Sequence, residues 1–202
     1  MLEKQTHPYT PYFPKTAEAV IIGSAPPWRF CTGRAEDLRA GDVDFFYGSV
    51  DNRFWRVMLE VLGTKPGPGT AELLKTILKN HKLGMGDILK SFTRRDCKSS
   101  DSDLSEFSYD FSLVEGIMDR AGIRKLFFTS EFVYRRFKAA LREQGYKLKQ
   151  TAIARRQYTL LVSKPGFERD FEISVLLSPS RRGRHGFEDL VANYKEQFSQ
   201  FI

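Results

Sequence analysis

The residues best suited to chemistry lie in three short segments of the chain. The first, Asp44–Leu62, places an aromatic cluster, a Gly-Ser pair and an Asp-Asn pair directly before an amphipathic pattern. The other two, Gly23–Pro27 and Ser178–His185, are loops that each follow an apolar run. The first segment presents a flat aromatic and a carboxamide beside a helix start. The last combines cations, small hydroxyls and backbone N–H groups, which suit phosphate.

Helical periodicity in the first segment begins at Arg53. Gly48 stops the helix from extending backwards, and Asp51 or Asn52 is predicted as its N-cap. The predicted apolar face is Phe54, Trp55, Met58, Leu59 and Leu62. A plain alternative is that the aromatic cluster only fills the core and that Asn52 is only a cap.

The segment Ser178–His185 also has two interpretations. It contains three arginines and a histidine directly before a predicted helix, so it is either a phosphate-binding loop or a solvated basic loop. Its candidate contact residues are Ser178, Pro179, Ser180, Arg181, Arg182, Arg184 and His185. Asp42, Asp44 and Asp51 could polarise a water molecule, but each could equally be a surface acid.

The elements that must position these segments alternate between strands and helices. Predicted strands are Ala19–Gly23, Ile123–Thr129, Thr151–Ser163 and Asp170–Leu177, and predicted helices start at Arg53, Thr70, Ser112, Ser130 and Phe187. The second helix is expected to stop near Lys82 to Gly86. Gly86–Arg95 stays unassigned, and Cys97–Leu104 resembles a solvated turn. The alternation of strands and helices predicts a parallel α/β sheet. The carboxyl edge of that sheet would bring both loops, Tyr47 and Asn52 together in one site.

Composition limits the class of protein. The 202 residues are 41% hydrophobic, which predicts one globular domain, 19–202, preceded by an extended arm, 1–18, that contains three prolines. The formal net charge of +7 favours a polyanionic partner. With no membrane span or signal peptide in the sequence, we expect the protein to stay in the cytoplasm. We also expect it to be a monomer.

Several kinds of site are disfavoured by the sequence. Two cysteines, Cys31 and Cys97, cannot make a four-thiolate zinc or iron–sulfur site, and the three histidines are scattered. We therefore expect no metal and no cofactor. The chain also has no G-x-x-x-x-G-K-[ST] loop and no G-x-S-x-G elbow.

The order of these motifs resembles the uracil-DNA glycosylase superfamily. Its most specific part is N-R-F-W at 52–55, supported by G-S-x-P at 23–26, G-D-I-x-x-S at 86–91, S-x-D-S-x-L at 99–104 and S-P-S at 178–180. Asp87 together with Ser99–Leu104 favours the hypoxanthine-DNA glycosylase branch, with the mismatch-specific uracil-DNA glycosylases as more distant relatives. The resemblance runs from about Ala19 to the C-terminus.

The resemblance implies a three-layer α/β/α domain with a central, mostly parallel sheet. It also implies a monofunctional, metal-free DNA glycosylase of base excision repair, which flips a deaminated base, hypoxanthine or uracil, out of DNA and hydrolyses its N-glycosidic bond. Tyr47 would stack on the base, Asn52 would position the water, and Ser24 would line the sugar and base pocket. The remaining implied base contacts are Gly23, Ala25, Pro26 and Gly48. Ser178–His185 would pinch the strand and fill the gap left by the flipped nucleotide.

The sequence departs from the family pattern at several positions. Ala25 stands where mismatch-specific relatives have Asn, and Ser49-Val50 stands where His-Pro is usual. Leu177 replaces a common Pro, and arginines replace small or apolar wedge residues. The alternative is therefore a catalytically weak or silent nucleic-acid-binding member of the same fold. A nucleotide-processing α/β enzyme, acting on free nucleosides, is a third hypothesis.

Overall fold

Two β-sheets organise the chain in the computed structural model, which describes residues 2–64, 69–95, 100–180 and 183–202. Cys97, Ser99, Arg181 and Arg182, all named above, lie outside the described residues. The strands are β1 (Leu2–Thr6), β2 (Ala19–Gly23), β3 (Leu83–Asp87), β4 (Leu89–Arg95), β5 (Leu104–Tyr109), β6 (Lys125–Phe128), β7 (Lys147–Ala154), β8 (Gln157–Lys164) and β9 (Phe167–Val175). The helices are α1 (Phe54–Val61), α2 (Ala71–Asn80), α3 (Phe111–Met118), α4 (Glu131–Glu143) and α5 (Phe187–Gln197).

The larger sheet has six strands in the order β3-β2-β6-β9-β8-β7. Its first four strands run parallel, and the β8-β7 hairpin continues the sheet with antiparallel pairing. The parallel strands are in register, so that Gly86, Ile22, Phe128 and Val175 form one row across the sheet. The predicted α/β class with a mostly parallel central sheet is confirmed.

Side chains that alternate along the central strands supply two separate cores. Val20 and Ile22 of β2 pack on the face covered by α3 and α4, whereas Ala19 and Ile21 pack on the face covered by α1, α2 and α5. All five residues of β2 are buried, as is expected for a parallel strand covered on both faces. The helices therefore form two outer layers around the sheet.

The smaller sheet, β1-β4-β5, is antiparallel and includes the N-terminal arm. Its most buried polar side chain is Arg94 of β4, which is 2% exposed. The Arg94 guanidinium donates to Gln5 Oε1 at 2.8 Å and to the Pro26 carbonyl at 2.7 Å. A strand of the small sheet thereby fixes the loop that follows β2.

The sequence-based boundaries were wrong in several places. Thr151–Ser163 is not one strand, because β7 and β8 are joined by a tight turn in which Arg156 has a left-handed backbone, with φ +62°. That turn lacks the Gly, Asn or Pro residues that usually mark one. Helix α3 is capped by Asp110, whose carboxylate accepts the Ser112 N–H, and Ser112 is not the cap.

Helix α2 ends at Asn80, and β3 occupies the stretch that was expected to close the helix or remain unassigned. The two glycines of β3 obscured the strand pattern. A Cβ on Gly84 would press on the Tyr12 carbonyl and the Phe13 ring, and one on Gly86 would collide with Leu113. These glycines therefore mark where the chain after β1 and helix α3 pack closely on the strand.

Truncation of a core isoleucine tests this packing. Ile173 of β9 is 1% exposed, so Ile173→Ala should lower the free energy of unfolding by about 2–5 kcal/mol through the cavity that it leaves. Ile153 of β7 is 62% exposed, and Ile153→Ala should change that free energy by no more than about 0.5 kcal/mol. Urea denaturation measures both, and equal effects of the two variants would contradict the described topology.

Candidate functional site

A cavity of about 530 Å³ opens at the carboxyl edge of the parallel strands. Its size falls within the roughly 300–1,000 Å³ of ordinary ligand clefts. It is lined by Ser24, Ala25, Pro26, Pro27, Arg29, Tyr47, Ser49, Asp51, Asn52, Asp87, Ser100, Asp101, Thr129, Ser130, Ser178, Pro179, Ser180 and Gly183. Both predicted strand-end loops, the aromatic Tyr47 and the amide of Asn52 therefore lie around one cavity.

The loop after β2 forms one wall. The Ser24 hydroxyl donates to Asp101 Oδ1 at 2.6 Å, and the Pro26 carbonyl is held by Arg94. Ala25 is half-buried against the core beneath α3 and α4. Gly23 lies behind the cavity surface, where a Cβ would collide with the Tyr47 hydroxyl and Asp87. Only glycine allows these two side chains to come so close to the end of β2.

Tyr47 is held in an unusual backbone conformation. Its φ of +58° is left-handed, which is uncommon for a residue with a side chain. The ring stacks on Phe54 with centroids 4.4 Å apart, and the hydroxyl lies 2.8 Å from the Thr129 hydroxyl. Gly48 follows, and its Cα lies too near the Val43 carbonyl to carry a Cβ. Burial raises the pKa of Tyr47, so the phenol is neutral at physiological pH.

Asn52 lies directly before Arg53, the N-cap residue of helix α1, and accepts the first N–H of the helix while it lines the cavity. Its Oδ1 accepts the Phe54 N–H at 2.8 Å, while its own N–H donates to the Ser49 carbonyl at 2.8 Å. Asp51, the other predicted cap, instead meets Arg39 at 3.0 Å and Arg29 at 3.5 Å. An amide oxygen has two lone pairs, so the capping contact leaves one lone pair and both amide hydrogens of Asn52 for other partners.

The loop after β9 is fastened to the start of α1. Asn52 and Ser180 form an isolated antiparallel bridge. The guanidinium of Arg53 donates to the carbonyls of Pro179, Ser180 and His185, at 3.4, 2.8 and 2.9 Å. Arg53 was predicted only as the start of the helical periodicity and as part of the N-R-F-W motif. Its role in holding this loop follows from contacts with residues more than a hundred positions away in sequence.

The loop residues predicted to contact phosphate are only partly gathered at the cavity. Ser178, Pro179 and Ser180 line it, whereas Arg184 is exposed and His185 half-buried outside the lining. Arg181 and Arg182 lie outside the described residues. The phosphate-binding interpretation of this loop therefore remains a prediction.

Of the three carboxylates considered as water-polarising groups, Asp51 lines the cavity and pairs with Arg39 and Arg29, whereas Asp42 and Asp44 are engaged elsewhere. The Asp42 side chain is fully covered and accepts two hydrogen bonds from Arg29, at 2.6 and 2.8 Å. Burial raises the pKa of Asp42, but the hydrogen bonds from Arg29 and from backbone N–H groups outweigh it, and the net shift is downward. Asp44 accepts the Tyr9 hydroxyl at 2.7 Å.

Two other carboxyls face the cavity, and neither was predicted to be a site residue, although each lies in a motif of the resemblance. Asp87 ends β3, and its Oδ2 lies 2.8 Å from Nε2 of the buried His7, a residue of the N-terminal arm. Asp101, expected in a solvated turn, lines the cavity beside Ser24. Burial raises the pKa of Asp101, and the charge of Asp87 adds to this effect. The motifs G-D-I-x-x-S and S-x-D-S-x-L contain these two residues, but nothing in the motifs shows that the two carboxyls meet at one cavity.

The part of the chain that the structure describes contains neither a metal-binding cluster nor a membrane-spanning helix. Within residues 2–64, 69–95, 100–180 and 183–202, no group of three or more His, Cys, Asp or Glu side chains is arranged to hold a metal ion. None of the helices in that part of the chain is both long enough and apolar enough to cross a membrane.

Comparison with known proteins points in one direction. No family model matches the chain. A curated protein from Methanosarcina barkeri, named hypoxanthine DNA glycosylase, is 26% identical over 155 residues, which cover 73% of this chain and 84% of that protein. A solution NMR structure from Methanosarcina acetivorans, provisionally named a uracil DNA glycosylase, superposes with a TM-score of 0.57 at 20% identity, covering 100% of this chain and 99% of the other.

In sequence, the chain is similar to a protein named hypoxanthine DNA glycosylase, and in fold it is similar to a structure provisionally named a uracil DNA glycosylase. The resemblance predicted from the sequence is therefore confirmed.

Replacement of Arg53 tests how the loop after β9 is held. A lysine amine cannot reach three carbonyls at once, so Arg53→Lys should speed amide hydrogen exchange in residues 178–186 by roughly tenfold. Arg56→Lys is the matched control, since Arg56 lies on the same helix over the Phe187 ring. Mass spectrometry of peptides covering the loop measures the effect, and unchanged exchange in Arg53→Lys would show that the contacts do not hold the loop.

Proposed function

We propose that this protein is a monofunctional DNA glycosylase that flips a deaminated base, hypoxanthine or uracil, out of DNA and hydrolyses its N-glycosidic bond. The observation that carries this proposal is the convergence of Tyr47, Asn52, Ser24 and Ser180 on one cavity. The similarity to a protein named hypoxanthine DNA glycosylase supports the same reaction class.

The cavity suits an extruded base. A flipped base needs a flat surface to stack on and hydrogen-bonding groups along its edge. Tyr47 supplies the ring, which Phe54 supports from behind and Thr129 fixes through the phenol. Because these contacts exist before substrate arrives, little ordering is needed when the base enters.

Asn52 is the residue that we assign to the attacking water. Its capping hydrogen bond with Phe54 fixes the side chain, and the second lone pair of Oδ1 can accept a hydrogen from a water placed against C1′. An orientation fixed in advance is what this role requires, since the sugar passes through a short-lived oxocarbenium-like state. The cap and the catalytic role are thus compatible in one residue.

The absence of an amine nucleophile supports hydrolysis without strand cleavage by the enzyme. Among the described residues that line the cavity there is no lysine. A glycosylase that also cleaves the strand needs an amine to attack the sugar. Water held by Asn52 is the nucleophile that we assign, and the product is an abasic site.

Contact with the strand is assigned to the loop after β9. Ser178, Pro179 and Ser180 border the cavity, and Arg53 holds their backbone. The net charge of +7 favours binding to the phosphate backbone. Small residues at the cavity rim are suited to enter the duplex where the nucleotide leaves.

A silent DNA-binding protein of the same fold is the second candidate. One observation favours it: Ala25 offers the cavity no polar side-chain group, so activity depends on Asn52. One lone pair of the Asn52 Oδ1 already accepts the Phe54 N–H. Such a protein would bind duplexes with a strong salt dependence and would form no abasic product.

Excision assays separate the two candidates. The protein is incubated with duplexes that carry a single hypoxanthine or uracil, and alkali then converts abasic sites into strand breaks. We expect breaks at one or both lesions. Their absence at both, at enzyme concentrations that saturate binding, would establish the silent candidate instead.

Removal of the amide tests the role of Asn52. Asn52→Ala should lower the single-turnover excision rate by about 10²–10³-fold, since the water loses its positioning group. Asn80→Ala, an exposed position at the end of α2, is the control and should retain the full rate. Full excision by Asn52→Ala would refute the assignment and leave the reaction itself intact.

A further inference from the structure

The hydroxyl groups on one wall of the cavity direct their hydrogens into the protein. Ser24 donates to Asp101 Oδ1 at 2.6 Å, and an ionised carboxylate can only accept. Thr129 donates to the Ile22 carbonyl at 3.2 Å, so the Tyr47 phenol is left to donate to Thr129. The hydrogen of each hydroxyl is thereby committed to a partner within the protein. What this wall offers a ligand is oxygen lone pairs.

A buried carboxylate strengthens the acceptor character of the same wall. Asp87 is 6% exposed and lines the cavity. Its Oδ2 faces His7, whereas its Oδ1 has no hydrogen-bond partner among the described residues. That oxygen is itself buried beside Gly23, so it acts on a ligand through its negative charge, which disfavours lone pairs and favours N–H groups at this wall.

We propose, on the basis of the function proposed above, that Asp101 is a positioning residue that makes Ser24 a hydrogen-bond acceptor for the ring N–H of the flipped base. The wall formed by Ser24, Asp101 and Asp87 then selects bases of the lactam class. Asp101 acts through Ser24, and the specificity for a ring N–H depends on the hydrogen bond between these two side chains.

The chemistry of deamination explains why an acceptor wall is selective. When an exocyclic amine is replaced by a carbonyl, the neighbouring ring nitrogen gains a hydrogen. Hypoxanthine and uracil therefore present an N–H at the position where adenine and cytosine present a lone pair. A wall of acceptors binds the first pair and repels the second, so adenine and cytosine are rejected by this contact, whereas guanine and thymine, which carry the same ring N–H, are not.

The pair should respond to pH. Charged and titratable groups that face Asp101 are Asp87 of β3, Arg94 of β4 and Tyr47, with His7 behind Asp87. Burial raises the pKa of Asp101. Once protonated, the carboxyl donates to Ser24, and the serine hydrogen is released toward the cavity as a donor. Selectivity for an N–H should therefore weaken as the pH falls through this raised pKa.

Binding measurements test the proposal without relying on cleavage. Fluorescence anisotropy compares the affinity for a duplex with one hypoxanthine against the same duplex with adenine, in an Asn52→Ala background and over a series of pH values. We expect the preference for hypoxanthine to fall by roughly tenfold or more in Asp101→Ala and in Ser24→Ala, which lose the pair. Asp101→Asn keeps an acceptor for Ser24, so it should retain the preference and lose its pH dependence.

A control and the opposing outcomes complete the test. Asp103→Asn, on the same turn and outside the cavity lining, should behave as the background does. A preference that survives in Asp101→Ala, or that is absent from the background itself, overturns the proposal. If the unaltered protein excises no base but the preference depends on Asp101 as described, the proposed catalytic function fails and this inference stands.

Discussion

The parallel pairing of β3, β2, β6 and β9 is the constraint on which the rest of the structure depends. Because Gly86, Ile22, Phe128 and Val175 form one row, the residues that follow them emerge at the same edge of the sheet. Four groups that are distant in sequence thus converge: Asp87, the loop after β2, Thr129 and the loop after β9. The cavity is a consequence of this register.

Two arginines convert that convergence into a fixed site. Arg94 ties the loop after β2 to the small sheet, and Arg53 ties the loop after β9 to helix α1. Arg53 donates to three backbone carbonyls, and Arg94 donates to the Gln5 side-chain oxygen and the Pro26 carbonyl, a set of partners that a planar guanidinium can bridge and a lysine cannot. The groups that would meet a substrate are therefore held in place by the protein before binding, which reduces the ordering that binding requires.

Local patterns in the sequence predicted the parts of the fold that local patterns control. The continuous apolar run of β2 marked a strand, and Ser130 accepts the Val133 N–H as the predicted cap of α4. The prediction that Tyr47, Asn52 and two strand-end loops would meet also rested on a simple rule, that parallel strands end at one edge. Those residues do line one cavity.

The missed features of the site depend on contacts between distant segments. The pattern of β3 does not predict a strand, because two of its five residues are glycines that allow the N-terminal arm and α3 to pack closely. The polar segment around Asp101 resembles a solvated turn, and only the fold brings Ser24 into contact with Asp101. His7 carries no signal in a proline-rich arm, yet it is buried against Asp87. A polar side chain is expected to be exposed only when no hydrogen-bonding partner is available in the folded protein. The sequence does not show which partners the fold brings together from distant segments.

The central claim is that the cavity receives a flipped base with its sugar turned toward Asn52. The most direct test is a crystal structure of the protein bound to a duplex that carries 2′-fluoro-deoxyinosine, whose glycosidic bond resists hydrolysis. We expect an extrahelical base stacked on Tyr47, with C1′ and a water molecule beside the Asn52 amide. A base that remains stacked in the duplex, or a nucleotide bound away from this cavity, would contradict it.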